Sequence, residues 1–169
     1  MTISTAIKAP DDLLTIARFD RVLAFGAVAI LAAMIAAIVR GRAEWGAIPT
    51  LVWPHLATIA TALALTPVML LRRRGDRLHR RLGWIWAVAM FLTAFDSLFI
   101  RLINRGGFSI IHILSVWTLI QVPVIVLAAR RHDIARHRSA VRGMVLGALL
   151  IAGFFTFPFD RLLGHWLFG

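Results

Sequence analysis

Five apolar runs limit what this chain can fold into. Residues 22–39, 51–71, 82–103, 108–129 and 140–163 are each close to the roughly 20 residues an α-helix needs to cross a hydrocarbon core. Inside lipid the backbone must satisfy its own polar groups, so each run is expected to be a helix. A mean hydropathy of +0.82 and 16% charged residues, against about 25% in soluble domains, support the same class. The first run, Val22 to Val39, has no polar side chain, and its Gly26, Ala29, Ala33 and Ala37 allow a neighbouring helix to approach closely. The other four carry polar groups that must face protein, a cofactor or water.

A repeat organises those four. His55, Thr58 and Thr61 recur as His112, Ser115 and Thr118 with the same offsets, and Pro67 recurs as Pro123 within one residue. Each copy then runs through arginines to a His-Arg pair, His79-Arg80 and His137-Arg138. The expected fold is an all-α membrane protein of five transmembrane helices. It comprises an interfacial segment at 1–21, a peripheral helix at 22–39, a four-helix bundle over 50–163 built from a duplicated two-helix hairpin, and a tail at 164–169. Pro10-Asp11-Asp12 reads as the start of a short interfacial helix, and Gly106-Gly107 as a turn between the two hairpins.

The formal charge of +11 is spaced between apolar runs and so reads as membrane orientation and anionic-lipid contact, with no nucleic-acid partner. Lys8, Arg18, Arg21 and the clusters at 72–81 and 130–142 hold 14 of the 19 basic residues and fall on one side of the five-helix topology. The expected location is therefore a bacterial inner membrane, N-terminus cytoplasmic and C-terminus outside. Trp45, Trp53 and Trp166 suit an outer aromatic belt, and Trp84 and Trp86 an inner one. The chain has no cysteine, which excludes disulfides and thiolate metal sites.

This topology sets His55 and His112 at similar depth near the outer face, and His79 and His137 at the inner boundary. Two neutral imidazoles on facing helices can ligate a haem iron. Arg80 and Arg138, with Arg77, Arg81, Arg136 and Arg142, supply cations for its propionates. The runs Leu78-His79-Arg80-Arg81-Leu82-Gly83 and Arg136-His137-Arg138 resemble an uncharacterised family of predicted bacterial membrane proteins, over roughly residues 50–163. More distantly the plan is similar to the di-haem transmembrane cytochromes b. That likeness implies that His55 pairs with His112, and His79 with His137, to hold haem b and carry electrons across the bilayer or between a quinol and a redox partner. His79 and His137 depart from that plan by lying in arginine-rich boundaries. An alternative gathers His55, His112 and Asp96, with Asp160 and His165 near the outer face, into a site for a transition metal ion or for protons. A scaffold without cofactor or chemistry is the third reading, and no nucleophile elbow or phosphate-binding glycine loop points to a catalytic residue.

Overall fold

The computed structural model describes residues 16–100, 110–158 and 161–169. The described residues are helical, without strands. Helix α1 spans Arg18–Arg40 and runs into a 3₁₀ stretch, Gly41–Ala47; α2 spans Val52–Leu71, α3 Arg77–Ser97 and α4 Ile110–Arg130. Helix α5, Ile134–Met144, continues through π-helical turns at Val145–Ile151 and a final turn, α6, at Ala152–Phe154. A short α7, Leu162–Phe168, ends the chain. The interfacial helix expected before residue 16, the Gly106-Gly107 turn and Asp160 lie outside the described residues.

Among the described residues, three stretches are long and apolar enough to cross a membrane: Arg18–Ala47, Val52–Leu71 and Ile111–Arg130. The remaining two expected spans fall short for a visible reason. In α3 the apolar stretch runs only from Leu82 to Phe95, between Arg81 and Asp96. The last helical stretch is apolar only beyond Arg142 and gives way to a turn after Phe154, ahead of Pro158, which cannot donate a backbone hydrogen bond. Residues 140–163 are therefore not one helix.

Successive helices pack side by side, α1 on α2, α2 on α3, α3 on α4 and α4 on α5, and α1 closes the cycle against the π-helical stretch and α7. The peripheral position expected for the first helix is thus corrected. Leu23, Ala24, Ala27, Met34 and Ala37 of α1 are core residues. A glycine on each side makes this possible: a Cβ on Gly26 of α1 would stand 2.9 Å from Leu150, and one on Gly153 of α6 would stand 3.2 Å from Ile30. At the other end α7 docks so closely that a Cβ on Gly41 would run into the Trp166 ring. Trp166 is buried there, its Nε1 donating to Glu44 at 3.1 Å, rather than lying in an aromatic belt.

Both hairpins turn the same way chemically. Asp76 caps α3, accepting from the His79 backbone N–H at 2.6 Å, and Asp133 caps α5, accepting from the Arg136 N–H at 3.0 Å. Each aspartate sits at the same offset from the first histidine of its copy. Arg72 steadies the first cap with a bond of 2.8 Å to Asp76. That guanidinium and the His79 N–H hold the Asp76 carboxyl below the usual carboxylate range.

Candidate functional site

The polar side chains of α2 and α4 converge on α3, which packs against both. The His55 ring Nδ1 lies 2.7 Å from Asp96 Oδ1, bringing together residues 41 apart in sequence. The two side chains are 26% and 13% exposed, so the pair is partly shielded while the imidazole keeps an open edge. One helical turn deeper, Thr93 donates to the Thr58 hydroxyl at 2.8 Å. On the other flank the hydroxyls of Ser97 and Ser115 are 2.5 Å apart. Thr58 also donates to the carbonyls of Pro54 and His55, and Ser115 to that of Ile111, the usual way a mid-helix hydroxyl is satisfied in an apolar setting. Both repeat hydroxyls three residues after a histidine thus meet α3, at Thr93 and Ser97.

The two copies are not equivalent. His55 is partly exposed and held by a carboxylate; His112 is buried, with Ser115 and Thr118. The three-residue site expected from His55, His112 and Asp96 is not assembled: among the described residues no three His, Asp or Glu side chains gather as a metal-holding group. The reason is topological, since α3 takes the place between α2 and α4 and engages His55 through Asp96. His165 is exposed and stands 3.6 Å from Glu44, apart from the His55–Asp96 couple.

At the arginine-rich end, the ring Nδ1 of His137 is 3.0 Å from the Ile125 carbonyl. A carbonyl only accepts, so Nδ1 carries the proton and Nε2 is left as the basic nitrogen, the arrangement a ligating histidine needs. His79 is different: its Nδ1 is buried with no hydrogen-bond partner among the described residues. Burial holds the His79 imidazole below its ordinary pKa, and the charge of His137 pushes the same way, so the two rings are within electrostatic reach. Three of the arginines expected for propionates, Arg80, Arg138 and Arg142, are otherwise engaged. Arg80 donates to the Gly75 carbonyl at 2.7 Å, and Arg138 to Asp20 at 3.2 Å. The residues at this end fit a haem only in part, with one imidazole correctly oriented and Arg80, Arg138 and Arg142 committed elsewhere.

That commitment exposes a group that the sequence pattern did not single out. Asp20, 0% exposed, accepts from Arg74 at 2.7 Å, Arg138 at 3.2 Å and Arg142 at 2.7 Å, and from the backbone N–H of Ala17 at 3.1 Å. Arg74 lies in the first copy of the repeat, Arg138 closes the second and Arg142 follows it by one helical turn. One carboxylate on α1 therefore ties both copies together. The only sequence signal was an acid in a basic stretch beside an apolar run, and its partners lie 54 to 122 residues away.

No protein-family model matches the chain, and neither the curated proteins nor the solved structures give a match.

Proposed function

We propose that the chain is a multi-pass membrane protein whose working site is the His55–Asp96 couple, acting as a proton-exchanging group near one membrane face. The observation that carries this reading is the 2.7 Å contact between an imidazole and a carboxylate on two packed helices. A carboxylate on Nδ1 fixes the tautomer, leaves Nε2 to take or give a proton, and steadies the imidazolium once formed. An ionisable pair within a helical membrane bundle is costly to place there and usually marks a proton or ion path. The excess of arginine at the opposite end supports an N-terminus on the cytoplasmic side of a bacterial inner membrane, with His55 and Asp96 toward the outside. Infrared difference spectra of the protein in lipid, recorded across a pH step from 5 to 8 (about the range in which histidine titrates), test this. Imidazole and carboxyl bands that vanish in both His55→Phe and Asp96→Asn are expected; an unchanged difference spectrum in either variant contradicts the proposal.

A second reading keeps electron transfer through haem b, with quinol or a protein as redox partner, and the His137 Nδ1–Ile125 contact favours it. Here His137 and His79 would hold the haem, and the His55–Asp96 couple would move the protons that accompany quinol oxidation. Bound haem would supply the one-electron chemistry; His137 and its carbonyl would orient one ligand. A dithionite-reduced spectrum of protein from haem-replete cells separates the readings. A Soret band lost in His137→Ala supports haem at this end, and a colourless preparation removes it.

A further inference from the structure

We infer that the hollow between the end of α4 and the start of α5 is a binding site for an anionic phospholipid. The hollow has a volume of about 330 Å³ and is lined by Val124, Leu127, Ala128, Arg131, Asp133 and Arg136. Val124, Leu127, Ala128 and Arg131 fall at helical spacing, so they form one stripe: an aliphatic wall ending in a cation. Helix α4 is among the stretches apolar enough to cross a membrane, and that stretch ends at Arg130. The wall therefore lies at acyl-chain depth and the two arginines at headgroup depth.

The turn holds this geometry in place. The Asp133 N–H reaches back to the Ala128 carbonyl at 3.0 Å and the His132 N–H to that of Ala129 at 3.1 Å, while His132 adopts a φ of 57°. This is a helix C-terminal motif in which the left-handed residue is commonly glycine. It ends α4 abruptly, and Asp133 starts α5 within one residue, so Arg131 and Arg136 flank the hollow from two helices. Both are exposed, and neither side chain is engaged by another among the described residues. Asp133 accepts from the Arg136 N–H as a cap. Two guanidiniums and one carboxylate leave a single positive charge, which one phosphodiester neutralises, and guanidinium forks suit phosphate oxygens. The ligand class follows: phosphate at the arginines, an acyl chain along Val124 and Leu127.

Native mass spectrometry of the purified chain in detergent, titrated with phosphatidylglycerol or phosphatidylcholine, tests the site. Phosphatidylglycerol is expected to be retained in preference, with inorganic phosphate unable to displace it. Arg131→Gln with Arg136→Gln should weaken its binding roughly 30-fold, from about 1 kcal/mol per cation near a membrane surface. Arg131→Lys with Arg136→Lys should retain most of it, and Leu127→Trp should weaken both lipids by filling the wall. Arg73→Gln, an exposed arginine away from the hollow, should have no effect. Equal retention of the two lipids overturns the inference, as does displacement by inorganic phosphate. So does an equal loss in Arg73→Gln, which would mean diffuse surface charge.

Discussion

The two copies of the repeat share their spacing and differ in what surrounds them. In both, the hydroxyl three residues after the histidine turns toward α3, and in both an aspartate at a fixed offset caps the next helix. Those features depend on helical register and local capping, which a repeated sequence reproduces. The histidines diverge because their neighbours do. His55 meets the carboxylate of Asp96, whereas His112 is buried. His137 is fixed by a carbonyl, whereas His79 keeps a buried nitrogen without a partner among the described residues. The repeated sequence gives the same capping and hydroxyl contacts twice, and a single acid on α3 makes one copy chemically distinct.

The strongest way to break the comparison is to remove what ties the copies together. Asp20→Ala leaves Arg74, Arg138 and Arg142 around an uncompensated site, and loss of one partner from a buried ionic group costs about 3–5 kcal/mol. Unfolding in detergent should show that loss, and a change below about 1 kcal/mol would mean that the arginines rearrange freely. The caps sharpen the symmetrical part. Asp76→Ala and Asp133→Ala should each cost about 1 kcal/mol, the usual worth of an N-cap, and a large difference between them would show that the hairpins are not alike.

The histidines at the arginine-rich end give a pH test. The folded-state pKa of His79 lies below its ordinary value, chiefly through burial and then through His137. The unfolded chain therefore binds more protons in that window. The contribution is fully present above about pH 6.5, the ordinary histidine value, and is lost as pH falls through the depressed folded pKa. His79→Gln should flatten the acid side of the stability profile, and His137→Gln should lessen its slope; a profile unchanged by His79→Gln would place the acid dependence elsewhere.

Much of the helical plan was legible in the sequence because long apolar runs are local signals. The expected run at 51–71 became Val52–Leu71, and 108–129 became Ile110–Arg130. The last run was misjudged past Phe154, since hydropathy does not register a turn made by apolar residues such as Phe155 and Phe157. His55 and Asp96 were both candidates, but spacing could not say that they pair and leave His112 out. Asp20 was invisible as a tie point because all three arginines are remote in sequence. The equal offset of Asp76 and Asp133 was available in the repeat and would have located both caps.

A double-mutant cycle tests most directly whether one copy holds a coupled acid–base pair and the other does not. Unfolding free energies in detergent would be compared for His55→Phe, Asp96→Asn and their combination, and for the parallel cycle with His112→Phe. The 2.7 Å contact predicts a coupling of about 1–3 kcal/mol between His55 and Asp96, and at most about 0.5 kcal/mol between His112 and Asp96. Equal coupling in the two cycles, or none in the first, would contradict the account.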